Sequence, residues 1–172
     1  MRFLPLFIFM LLAVGMGVAL LKPDSATPPS PMIGRMLPEL SFALLEKDAP
    51  TALRAPIKGK PYLLSVFASW CMPCLAEWPV LFEMKQKYQI PMVGLAWKNA
   101  PVDVQVFLAK HGNPFSRIWQ DEQGISTVPL GLTGVPETFV IDANGTIILH
   151  SKQPITRDYA QQHIIPLFVE AP

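Results

Sequence analysis

Apolar positions fall into three patterns along the chain. The first is an uncharged run from Phe3 to Leu21, bounded by Arg2 and Lys22. At ~1.5 Å of rise per residue a helix of this length covers roughly 28 Å, about one hydrocarbon core. Residues 1–21 therefore read as a transmembrane signal anchor, with a cleaved signal peptide as the alternative, for which Gly17-Val18-Ala19 is a mediocre small-x-small site. Arg2 beside the amino terminus predicts an N-in orientation, which places everything after Lys22 in the opposite compartment. Residues 22–36, with Pro23, Pro28, Pro29 and Pro31, read as an extended linker. The rest, 37–172, has the size of one compact domain.

The second pattern is that of strands. Leu40, Phe42 and Leu44 alternate with small or polar neighbours, and Thr51 to Ala55 is a return segment, so the domain opens on a short strand or hairpin. Tyr62 to Ala68 is a nearly continuous apolar run, as in a central strand covered on both faces, and Met92 to Trp97 is a second one. Thr138 to Asp142 and Thr146 to Ser151 flank Ala143-Asn144-Gly145 and predict a hairpin.

The third pattern is helical. Trp78, Leu81 and Phe82 share a face of a segment from Pro73 to Tyr88, with Pro73 in the first turn and Pro79 inside, where it should kink the helix. Val102 to His111 reads as a helix ended by Gly112, and Ala160, Ile164, Leu167 and Phe168 mark a closing amphipathic helix. Phe115 to Thr133 has no clear period. The order predicts an α/β domain, a mixed sheet with helices on both faces.

Composition narrows the function. With 14 basic and 13 acidic residues and a net charge of +1, the chain lacks the basic surplus of an electrostatically driven nucleic-acid binder. Two cysteines, Cys71 and Cys74, cannot staple a small scaffold or complete a four-ligand zinc site alone. Spaced as CxxC they are a redox pair or half of a metal site. Leu75 follows Cys74, which excludes CxxCH haem attachment to this chain, and His111, His150 and His163 have no ligand spacing and read as surface residues. No metal and no cofactor is expected.

Position favours the redox reading. Ser69-Trp70-Cys71-Met72-Pro73-Cys74 stands where the central strand gives way to a helix, whose free amides and dipole stabilise a thiolate at Cys71. Cys71 is then the attacking thiol and Cys74, one turn in and more buried, the resolving thiol. The dipeptide between them lacks the His of strongly oxidising pairs, which favours a reductant. Gly134-Val135-Pro136-Glu137-Thr138 precedes the hairpin, and Pro136 there suits a cis peptide facing the CxxC. Trp70 is a packing or client-contact residue, Glu137 a rim charge, and Trp97, Trp119 and the methionines core.

WCMPC with Glu77 and Pro79, Gly112-Asn113-Pro114-Phe115, the run Gly131 through Phe139 (GLTGVPETF) and Ile141-Asp142-Ala143-Asn144-Gly145 together resemble the thioredoxin superfamily. Within it the chain is similar to the membrane-tethered DsbE/CcmG family of cytochrome c biogenesis, over Leu37 to about Glu170. The resemblance implies a thioredoxin-like fold in the bacterial periplasm and a reductase for the CxxCH cysteines of apocytochrome c. It also implies a transmembrane electron donor of the DsbD/CcdA type and contact with other maturation components. By position it makes Glu77 the acid near the pair and Pro136 the cis-proline. A client strand beside a cis Pro136 would pair with the Val135 backbone and take its specificity from Trp70, Glu137 and the Phe115 to Thr133 insert. Val135 stands where the family commonly has Ala, and Ser126 to Pro129 departs from its usual insert. A TlpA/ResA-like reductase with other clients, or a tethered binding module without catalysis, would share much of this pattern.

Overall fold

The computed structural model describes residues 3–21, 30–53 and 59–169. Helix α1 (Leu4–Leu21) comes first. Among the described residues, no helix is long and apolar enough to cross a membrane. The domain follows as β1 (Ser41–Leu44), β2 (Lys47–Ala52), β3 (Tyr62–Phe67), α2 (Met72–Tyr88), β4 (Met92–Trp97), α3 (Pro101–His111), β5 (Ile118–Asp121), β6 (Glu137–Ile141) and β7 (Ile147–Ser151). A short α4 (Arg157–Tyr159), a π turn (Ala160–Ile164) and α5 (Pro166–Val169) close it.

These strands form one mixed sheet in the order β2-β1-β5-β4-β3-β6-β7. β3, β4 and β5 are parallel, while β6 runs antiparallel beside β3 and β7 beside β6. β3 and β4 are buried at every residue, as their continuous apolar runs require. The stretch from Phe115 to Thr133, without a readable period, contains β5. Its four residues bridge β4 to the amino-terminal hairpin. The return strand of that hairpin begins at Lys47, earlier than expected, and residues 54–58 lie outside the described residues.

The expectation of helices on both faces is corrected. The connections β3-α2-β4 and β4-α3-β5 step in the same direction across the sheet, and right-handed crossovers then put both helices on one face. There Cys74, Trp78, Leu81 and Met84 of α2, Val104 and Phe107 of α3, and Ala160 and Ile164 of the closing segment share one core with Leu63, Phe67 and Val140. The opposite face, with Leu64, Val66, Leu95, Phe139 and Ile147, is covered by irregular chain: Met32, Leu37, Leu53, Leu130 and Leu132.

Part of the expected linker therefore belongs to the domain. Met32 is buried, Gly34 donates to the Ile147 carbonyl, Ile147 to that of Arg35 and Leu37 to that of Gly145, so residues 30–37 are fastened along β7 and its turn. Residues 22–29 of that linker lie outside the described residues.

Helix α2 is continuous through Pro79, although proline can donate no hydrogen bond to Leu75. Packing compensates. Trp78 meets Phe107 and Phe115 edge to face at 4.9 and 5.5 Å, and its indole donates to the Gly112 carbonyl at 3.1 Å. Beneath it Phe67 and Phe115 stack at 5.2 Å, and a Cβ on Gly94 would come within 2.9 Å of both rings. Gly94 thus lets β4 pass under the aromatic cluster. Gly94→Ala should destabilise the protein by about 1–3 kcal/mol in urea unfolding, through overpacking of two buried rings; an unchanged midpoint would show that the rings yield freely.

Candidate active site

Parallel strands end on the same edge of a sheet, and in open α/β folds that edge gathers the chemistry. The carboxyl ends of β3, β4 and β5 lead respectively to Cys71, to Lys98-Asn99 and to Asp121. Because β6 is antiparallel to β3 with Glu137 opposite Val66, the residues before it, Val135 and Pro136, stand beside the end of β3. Register alone thus brings the CxxC and the Val135-Pro136 peptide together. That peptide is cis, as the sequence suggested.

Cys71 is the N-cap of α2 and its sulfur accepts the Cys74 amide at 3.1 Å. The two sulfurs are joined in a disulfide of 2.01 Å with a dihedral of 86°. Cys71 retains 4% exposure and Cys74 none, so Cys71 is the member of the pair nearer solvent. Trp70, 56% exposed, and Met72 flank it at the surface. The Trp70 indole donates to the Lys98 carbonyl at 3.1 Å, and the Ser69 amide donates to Asn99 Oδ1 at 2.5 Å. These two bonds tie the CxxC approach to the loop after β4.

Glu77 lies one turn beyond Cys74 on α2 and is buried. One carboxyl oxygen accepts the Ile155 amide at 3.0 Å; the other has no hydrogen-bond partner among the described residues. Burial pushes its pKa from 4.5 to about 7, against the opposing pull of the Ile155 amide. A carboxyl that titrates near neutrality one helical turn from Cys74 has the chemistry of a general acid or base.

Glu137 and His150 are corrected. Along β6 alternate side chains change face, so Glu137 lies with Phe139 on the side away from α2. At 1% exposure it is not a client-facing rim charge, and His150, at 8%, is not a surface residue. They form a buried pair at 2.7 Å, with the imidazole stacked on Phe139 at 3.9 Å. Glu137 Oε1 accepts the Thr133 amide at 2.6 Å, the Thr133 hydroxyl at 2.7 Å and the Gly134 amide at 3.0 Å. Burial opposes ionisation, but the bonds from His150 and Thr133 and the His150 charge outweigh it and hold the Glu137 pKa below the usual value. Of the other predicted residues, Pro136 is buried and Val135 half-buried. His111 is half-buried beside Phe107, and His163 is exposed.

Sequence reasoning missed Asn99, Lys98 and Asp121. Asp121 accepts the Ile125 and Ser126 amides at 2.8 and 3.0 Å and the Ser126 hydroxyl. Trp97 donates to Thr127 at 3.0 Å, so the Ser126 to Pro129 stretch is anchored at the strand ends. The available signal was position: each follows or ends a parallel strand. No group of three or more His, Cys, Asp or Glu among the described residues could hold a metal ion.

A CxxC at a helix start beside a cis-proline, on a sheet of this topology, defines a thioredoxin-like thiol:disulfide oxidoreductase. The Redoxin family matches residues 32–162. The thiol:disulfide interchange protein HelX of Rhodobacter capsulatus is 36% identical over 168 residues, covering 97% of this chain and 94% of its own. The thiol:disulfide interchange protein DsbE of Yersinia pestis is 33% identical, covering 98% and 92%. Among solved structures, the thioredoxin domain of a thiol-disulfide oxidoreductase from Bacteroides vulgatus superposes with a TM-score of 0.66 at 16% identity, over 77% of this chain and 95% of that one. A secreted Mycobacterium tuberculosis disulfide oxidoreductase described as homologous to E. coli DsbE gives 0.60 at 24% identity, over 70% and 90%. The chain belongs to the Redoxin family and, within it, to the DsbE/HelX/CycY thiol:disulfide interchange proteins.

The raised pKa of Glu77 makes stability pH-dependent. Its folded value, about 7, lies above the unfolded 4.5, so stability is full below pH 4.5 and lost as pH rises through 7. The loss attributable to Glu77 is about 3 kcal/mol, at 1.36 kcal/mol per pKa unit. In urea unfolding of the oxidised protein, Glu77→Gln should remove this slope between pH 4.5 and 8; a slope unchanged by the substitution would place it elsewhere.

Proposed function

We propose that the protein is a membrane-tethered reductant that keeps the CxxCH cysteines of apocytochrome c as thiols in the bacterial periplasm, recharged by a transmembrane dithiol donor of the DsbD/CcdA type. The observation carrying this reading is the placement of Cys71 at the start of α2 beside the cis Val135-Pro136 peptide. A strand laid along that peptide would present its disulfide to Cys71, in the manner of main-chain pairing at a sheet edge. Family membership and the absence of His between the cysteines support the direction of electron flow.

In the reduced protein the Cys71 thiolate, stabilised by the Cys74 amide and the α2 dipole, attacks one sulfur of the client disulfide. The other client sulfur leaves as a thiolate and takes a proton from water. Glu77 receives the Cys74 proton, directly or through water, and the Cys74 thiolate attacks Cys71. The second client sulfur departs, and two electrons have moved from the Cys pair to the client. The Cys71-Cys74 disulfide is the form that this exchange would leave behind. Exchange with a donor dithiol runs the same steps backwards. Trp70 and Val135 flank the path of the client.

The anchor reading is supported by the uncharged run from Phe3 to Leu21, by its helical course, and by Phe3, Phe7, Phe9 and Leu12, which are exposed along it. An N-in helix would leave the domain outside the cytoplasm, where a reductant needs electrons carried across the membrane.

Cys74→Ser should accumulate a mixed disulfide between Cys71 and an apocytochrome CxxCH peptide, detected by mass spectrometry; its absence with any disulfide peptide would leave only a binding role. The wild-type potential should lie nearer ~−270 mV, as in thioredoxin, than ~−120 mV, as in DsbA, in equilibration with glutathione. A value at the oxidising end would reverse the proposed direction of transfer.

A further inference from the structure

Behind the cis-proline, on the face of the sheet away from the cysteines, a chain of polar groups, buried at His150 and Glu137, runs from residue 30 to the turn that precedes β6. Ser30 Oγ is 2.6 Å from His150 Nδ1, and His150 Nε2 is 2.7 Å from Glu137 Oε2. A carboxylate only accepts, so His150 Nε2 carries a proton and donates it. His150 Nδ1 shares the remaining hydrogen bond with the Ser30 hydroxyl, so both ring nitrogens and both Glu137 carboxylate oxygens have partners. Ser30 Oγ accepts the Met32 amide in turn, at 3.2 Å.

Glu137 Oε1 is where this chain meets the site. Its three donors all come from Thr133 and Gly134, the two residues before Val135-Pro136. Thr133 is exposed, so a buried carboxylate is gripping a turn at the surface. That turn has no strand pairing of its own before Glu137. An ion pair serving only the core would have no reason to spend three bonds there, since an apolar pair of like shape serves packing as well or better.

We propose that Ser30, His150 and Glu137 form a positioning relay that fixes the turn 133–136 for client docking, with His150 the residue on which the tightness of docking depends. This rests on the reading that clients pair with Val135-Pro136. None of the three side chains has to touch the client or the sulfurs. The relay also ties docking to the point where residues 30–37 fasten along β7, where the chain leaves the linker.

The test is steady-state reduction of a disulfide-bonded CxxCH peptide by the full chain in detergent, with KM and kcat measured separately. His150→Phe keeps a ring to stack on Phe139 but removes both hydrogen bonds, and His150→Gln restores a donor toward Glu137. His150→Phe should raise KM about tenfold or more with little change in kcat, as loss of hydrogen bonds to a buried charge would allow. His150→Gln should recover most of it, and Ser30→Ala should raise KM by roughly two- to fivefold, as loss of one neutral bond allows. A folded His150→Phe with the wild-type KM overturns the relay, as does a fall in kcat alone that His150→Gln does not rescue. If His150→Phe does not fold, Ser30→Ala decides, because its segment is also held by the backbone bonds of Gly34, Arg35 and Leu37; a wild-type KM there overturns the proposal. Pro136→Ala separates the two levels. Raised KM in Pro136→Ala beside unchanged values in the relay variants condemns the relay alone, whereas no effect in any of them condemns the docking reading beneath it.

Discussion

The free amides at the start of α2 are the constraint on which the site depends. A helix leaves its first amides without intrahelical acceptors, and here the acceptor for the Cys74 amide is the sulfur of Cys71 itself. Cys71 is therefore both a member of the redox pair and the cap that completes the helix. This requires the helix to begin at the edge of the sheet, immediately after a strand buried throughout. The contacts among Trp78, Phe67, Phe107 and Phe115 beneath hold the helix axis, and with it the direction of that first turn.

Two buried glutamates stand on opposite faces of the sheet, and desolvation acts on each with a different outcome. Glu77 has one amide and, among the described residues, an oxygen without a partner, so burial dominates and its pKa rises to about 7. Glu137 has His150, Thr133 and Gly134 around it, so the same penalty is outweighed and it stays ionised. The first therefore titrates near neutrality, and the second holds its charge and three donors from the turn before β6. Both flank the cysteine edge, one through α2 and the other through β6.

Much of this was legible from residues alone. The buried runs at β3 and β4, the Ala143-Asn144-Gly145 hairpin and the helix after Pro73 follow from local periodicity and turn chemistry, and the CxxC and the cis-proline are carried by short motifs. What escaped depended on distant pairing. β5 has only four residues and becomes a strand because β4 and β1 lie on either side. The one-sided placement of the helices follows from strand order, which periodicity does not contain. His150 and Glu137 look like isolated surface charges until the β6–β7 register sets His150 opposite Phe139 and next to its partner. Residues 30–37 look like linker because their bonds run to β7, far along the chain.

The central claim is directional: electrons pass from the Cys71-Cys74 pair to a client CxxCH pair. The most direct measurement mixes fully reduced protein with an equimolar disulfide-bonded CxxCH peptide under anaerobic conditions and quantifies all four thiol states by acid quenching and mass spectrometry. Peptide dithiol should accumulate together with the Cys71-Cys74 disulfide, at a rate above that for an unrelated peptide disulfide. Peptide that stays oxidised beside reduced protein, or net oxidation of a dithiol peptide by the disulfide form, would contradict the account.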